Sequence, residues 1–180
     1  MDDRRHRPRN GGSMSGHWSD VYAKNYSPCA DALDWMRKQP DAAGAWRDCG
    51  RGDWMLWLIC KQAGEPKCDA RRPLVLAACE CARLALPHVK NGETRPLRAI
   101  ETAEAWARGE SGITIGQVKK AADAAAYAAY AAYAAYAAGA AAAYAAYAAG
   151  DAAGDARKKT QKSCADIVRK HYPVAPEVRS

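Results

Sequence analysis

Between Ala124 and Gly150 the chain reads AAAYAAYAAYAAYAAGAAAAYAAYAAG. No segment restricts the fold more. Alanine is the strongest helix former and gives a strand little to pack with, so this stretch predicts helix. At about 100° per residue, Tyr144 and Tyr147 return to within about 20° of Tyr133 and Tyr136, making one aromatic stripe with a period of 11 residues. The opposite face is nearly pure alanine and admits the close approach of a second helix. Packing inside a helical domain suits both faces, because tyrosine rings fill volume while their hydroxyls reach the boundary.

Two other uses of such a segment are disfavoured. A membrane span needs strong hydrophobicity through its centre, whereas alanine is nearly indifferent to lipid, the tyrosine hydroxyls need partners, and mean hydropathy is -0.47. A regular surface ligand such as ice wants many repeats, and only two are present. The segment also cannot continue indefinitely. An unbroken helix from Ile115 to Tyr172 would be about 87 Å long, more than a domain of this size covers. The expected break is at Gly150–Gly154, with Gly139 as the alternative.

Alanine makes up nearly a quarter of the 180 residues and Phe is absent. Helix is therefore expected throughout, and the fold class is all-α, a compact domain of about six to eight helices. Residues 1–19 are read as a disordered basic leader, since MDDRRHRPRNGGSMSGH has little to bury, and Met14 offers a second start within it. Residues 20–173 form the single helical domain, and 174–180 a disordered tail.

Punctuation marks the helices from Pro28 onward. Ala30 to Lys38 is a short amphipathic run stopped by Pro40, with Leu33 and Trp35 available to the core. Asp41 caps a second helix reaching Cys49, and Asp53 is expected to cap DWMLWLICKQAG, which Gly64 ends. Arg51-Gly52-Asp53 spells an adhesion tripeptide, but the capping role of Asp53 is the expected one. Pro73 opens a central helix through LVLAACECARLAL, Asn91-Gly92 makes a turn, and Thr94 to Arg108 follows. Thr114-Ile-Gly-Gln117 is a capping box leading into the alanine segment. The expected buried set is Trp54, Trp57, Leu58, Leu76, Leu84, Leu97, Ile100, Ile167 and Val168.

Chemistry-bearing patterns are weak by comparison. The seven cysteines are odd in number and follow no secretory signal, which fits a reducing cytoplasm. Cys79 and Cys81 are the only close pair and point to nearly opposite sides of a helix, so no zinc site is expected. Glu101 and Glu104 share a helix face, as metal-binding or acid–base carboxylates do, yet none of the four histidines makes the ExxH pattern of a di-iron bundle. No GxSxG, P-loop or Cys-His-Asn set is present either. The expectation is a protein without catalysis, metal or cofactor.

The segments RGDWMLWL, LVLAACECARLALPHV, RPLRAIETAEAWARGE, the alanine-tyrosine run and the closing CADIVRKHYP together resemble a family of immunity proteins from bacterial polymorphic-toxin systems, carried also by phages and prophages. The resemblance covers residues 28–173. It implies an all-helical cytoplasmic protein that binds a cognate toxin and blocks it, and it assigns no functional residues. Immunity proteins against basic nucleases are often acidic, whereas this chain carries a net charge of +7. Its target is then something other than a basic nuclease, or the contact is a local acidic patch. Two alternatives stand beside it: a phage anti-defence inhibitor, for example of an RNA-guided complex, and a basic nucleic-acid-binding helical protein. The expected contact residues are Tyr130, Tyr133, Tyr136, Tyr144 and Tyr147, together with Glu101 and Glu104, because tyrosine offers rigid area with a polar tip at little entropic cost.

Overall fold

The computed structural model describes residues 16–65, 69–125 and 150–178, excluding the side chains of 150–153. Among these residues every regular element is helical, and the helices pack into a compact all-α arrangement. In chain order they are α1 (Trp18–Tyr26), α2 (Ala30–Met36), α3 (Ala42–Asp48), α4 (Gly52–Gln62), α5 (Arg72–Arg83), α6 (Arg95–Ala107), α7 (115–125) and α8 (Gly150–His171). Short 3-10 turns lie at Asp69–Arg71 and Leu86–His88.

Several boundaries follow from the residues expected to set them. Asp41 Oδ1 accepts a 2.6 Å hydrogen bond from the Gly44 N–H and starts α3. Pro73 sits in the first turn of α5, where its missing N–H costs nothing. The capping box ahead of α7 is formed in both directions: the Thr114 N–H donates to Gln117 Oε1 at 2.7 Å, and the Gln117 N–H to Thr114 Oγ1 at 3.3 Å.

Asp53 differs from expectation. Arg51 holds the N-cap position of α4 without a side-chain cap, and Asp53 lies in the first turn, gripped by Arg51 through bonds of 2.8 and 2.6 Å. A carboxylate is favoured there by the helix dipole without being the cap. Gly52 between them is buried against α8, where a Cβ would lie 2.4 Å from the Cys164 Cβ. The tripeptide is thus a helix-packing junction.

The first helix starts before the expected domain boundary. Trp18 and Ser19, assigned to the leader, belong to α1, and Ser19 is fully buried. Its buried face is only Ser19 and Tyr22, so WSDVYAKNY shows no apolar period to read. His17 Nδ1 accepts from the Ser19 N–H, and Ser27 closes the helix in the left-handed region at φ 51°. At the other end, residues assigned to a tail are tied down. Tyr22 Oη donates to the Pro176 carbonyl at 3.1 Å, Gln62 Nε2 donates to that of Glu177 at 3.0 Å, and Ala175 packs on the core.

The core joins α3, α4, α5 and α8 through Trp46, Cys49, Met55, Ile59, Leu74, Cys81, Ala165 and Val168. Of the expected buried set, Ile100 and Val168 are buried, whereas Trp54, Trp57, Leu58, Leu76, Leu84, Leu97 and Ile167 are half-buried. In α4 the buried stripe is Met55 and Ile59, four residues apart. DWMLWLIC is apolar on several faces, so period alone leaves its rotation open. Arg169 fastens α8 to the end of α3 by donating from Nη1 to the carbonyls of Trp46 and Cys49, at 3.2 and 2.9 Å, which have no partner within α3.

The expected break at Gly150–Gly154 is not within those residues, which are helical as the opening of α8. A helical glycine costs about 1 kcal/mol relative to alanine, too little to stop a helix anchored farther along on α4 and α5. Gly139 and the whole tyrosine stripe lie outside the described residues. No described helix is long and apolar enough to cross a membrane.

Candidate binding cleft

The four short helices α1–α4 cannot each bury their aromatic residues in one small core. Their tryptophans converge on one cleft, Trp46 from the core and the others from its edge. Five of the six tryptophans, Trp18, Trp35, Trp46, Trp54 and Trp57, line a cavity of about 640 Å³, within the range of small-molecule and peptide sites. Trp18 meets Tyr22 edge to face at 5.5 Å on the α1 side, and Trp35 of α2 tilts against Trp54 of α4 at 6.2 Å. These aromatic pairs are rigid walls.

Their polar atoms fall into two groups. The indole N–H of Trp18 donates to the Gln39 carbonyl at 3.0 Å, and that of Trp46 to the Tyr172 carbonyl at 2.9 Å, so these two are held by the fold. Trp35, Trp54 and Trp57 make no indole hydrogen bond among the described residues. Arg51 and Asp53 supply the charged part of the lining. The Arg51 guanidinium lies 4.3 Å from the centroid of Trp54 and bridges to Asp53, whose carboxyl it holds below the usual range by hydrogen bonding. The pair is internally neutralised and fixes the first turn of α4.

Two thiols border the same space. Cys29 is exposed, and the Cys49 thiol is pushed up by burial, which opposes formation of a reactive thiolate. Among the described residues no group of three or more His, Cys, Asp or Glu side chains could hold a metal. Its aromatic lining and neutral ion pair make the cleft suited to binding by shape and apolar contact.

The carboxylates singled out by sequence lie elsewhere. Glu101 is exposed, but Glu104 has only 12% of its side chain exposed and is clasped by Arg83 through bonds of 2.7 and 2.8 Å, with Arg108 at 3.6 Å. The Arg83 hydrogen bonds hold the Glu104 carboxyl below the usual range. The two are therefore not a free acidic pair, and Glu104 acts as the link between α5 and α6. Tyr130, Tyr133, Tyr136, Tyr144 and Tyr147 lie outside the described residues. The cleft itself had one legible signal, the crowding of five tryptophans into residues 18–57.

No protein-family model matches the chain, and neither a curated protein nor a solved structure matches it.

Proposed function

We propose that this protein is a non-enzymatic inhibitor that binds and blocks a protein partner in the cytoplasm, an immunity protein neutralising a cognate bacterial toxin, and that the aromatic cleft is its contact site. The observation that supports it is the convergence of five tryptophans on one open cleft. Tryptophan is enriched in binding hot spots because it brings large rigid area and one donor, and pre-formed walls lose little entropy when a partner's apolar side chains enter. The net charge of +7 favours a partner with an acidic surface around the inserted residues.

The test is co-expression with candidate bacterial toxins. Growth restored together with a one-to-one complex on size-exclusion chromatography is the expected result. Restored growth without any complex would refute inhibition by binding.

One feature favours the nucleic-acid alternative. Residues 155–160 of α8 are exposed all around the helix, and with Lys162 they place Arg157, Lys158 and Lys159 in solvent. A phosphate-dominated complex weakens steeply as salt rises, so a filter-binding series over ionic strength separates the two readings.

A further inference from the structure

The residues after α8 help to build the cleft. His171 is followed by YPVAPEV, and Pro173 lacks the N–H a continuing helix would use, so 172–178 leaves the helix as non-helical chain. It turns back across α1 and α4, and Ala175 and Pro176 form part of the cleft wall. Side-chain donors hold it by its carbonyls, Tyr22 Oη by that of Pro176 and Gln62 Nε2 by that of Glu177; Gln62 Nε2 also bonds Tyr26 Oη at 3.0 Å. A proline-bearing segment suits such a wall, because proline presents a carbonyl and an apolar ring but no N–H that would need an acceptor.

The rest of the cleft repeats that chemistry. Trp35, Trp54 and Trp57 line it with aromatic surface, Arg51 lying over one face of Trp54 at 4.3 Å and Lys61 over Trp57 at 5.7 Å, and their indole N–H groups, which can only donate, make no hydrogen bond among the described residues. An ordinary extended peptide would bring backbone N–H groups into a mainly apolar space whose carboxylate, Asp53, is already engaged by Arg51, and each N–H left unpaired is costly. A proline-rich segment brings the fewest, is extended before it binds, and stacks on aromatic surfaces through its rings.

We propose that the cleft binds an extended, proline-bearing segment of the protein partner, seated on Trp35, Trp54 and Trp57 alongside the chain's own residues 173–177. This deepens the reading of the cleft as the contact site and rests on it.

The experiment uses the full chain and its tryptophan emission, which five cleft-lining indoles make sensitive to occupancy. The probe is a blocked peptide carrying two tandem copies of PVAPEV, and the control has every proline replaced by alanine. Saturable binding of the proline peptide, about tenfold or more tighter than the control, is expected. Trp57→Ala should weaken it about fivefold or more with helical circular dichroism unchanged; Trp35→Phe, which keeps a ring but loses the donor, serves if the first variant misfolds. Equal binding of both peptides, no binding, or affinity unchanged in both variants would overturn the proposal. If Trp57→Ala abolishes toxin neutralisation while no peptide binds, the peptide inference falls and the contact site stands. If the peptide binds at the cleft while Trp57→Ala neutralises like the wild type, the contact-site reading falls and the peptide specificity stands.

Discussion

Gly52→Ala is the sharpest perturbation of the packing that shapes the cleft. Gly52 opens α4 and is buried against α8. A Cβ there would lie 2.4 Å from the Cys164 Cβ and 2.7 Å from both the Ala165 nitrogen and the Cys164 carbonyl carbon. Non-bonded carbon atoms settle at about 3.5–4.0 Å, so the helices would have to part by roughly 1 Å. Two of the three obstacles are backbone, and no rotamer change relieves them. Overpacking of this kind costs about 1–3 kcal/mol, and the upper end applies because separation also loosens Met55 and Ile59 from Ala165 and Val168. For a chain of this size that is a fall in Tm of about 6–12 °C. Gly154→Ala is the matched control: the residue is helical, its added Cβ meets nothing within 4 Å, and the change should stabilise by up to about 1 kcal/mol. Thermal melts followed by far-UV circular dichroism read both. A Gly52→Ala protein that melts with the wild type would refute the close approach of α4 and α8.

Other consequences are independent of it. Met55→Ala, at a side chain 2% exposed, should cost about 2–5 kcal/mol in urea unfolding, and Trp57→Ala on the cleft wall less than about 2 kcal/mol; the reverse order would restore the tryptophan face to the core. The folded-state pKa of Glu104 lies below its unfolded value, so its stabilisation is present above the unfolded pKa of about 4.3 and is lost as pH falls through the folded one. Glu104→Gln should therefore lower stability near pH 7 and flatten the acid limb of a pH–stability curve, whereas an unchanged acid limb would contradict the clasp by Arg83. Burial pushes the Cys79 thiol up to about 11 and the Cys81 thiol up to about 12, so alkylation mapped by mass spectrometry should label exposed Cys29 and Cys60 well before either. Early labelling of Cys81 would place it outside the core.

What the sequence disclosed are the features whose cause is local. Asp41, Pro73 and the Thr114–Gln117 pair act within one helical turn, and Gly64 and Gly92 take positive φ values of 72° and 86° that other residues rarely adopt. What it withheld depends on distant partners. The spacing of Glu101 and Glu104 is right for a shared face, but it cannot reveal that Arg83 of another helix engages one of them. Trp46 and Tyr172, and Tyr22 and Pro176, are more than a hundred residues apart in sequence, and the second of these contacts brings the apparent tail to the cleft. The rotation of α4 was illegible for a different reason, since a helix apolar on several sides carries no contrast between faces.

The most direct measurement is a calorimetric titration of the protein into a purified toxin that it neutralises on co-expression, run with the wild type and with Trp57→Ala. Proposed inhibition through the cleft predicts one-to-one stoichiometry and a loss of affinity of about tenfold or more in a variant that still melts cooperatively. Protection at amounts far below one equivalent, or equal affinity of the two proteins, would contradict it.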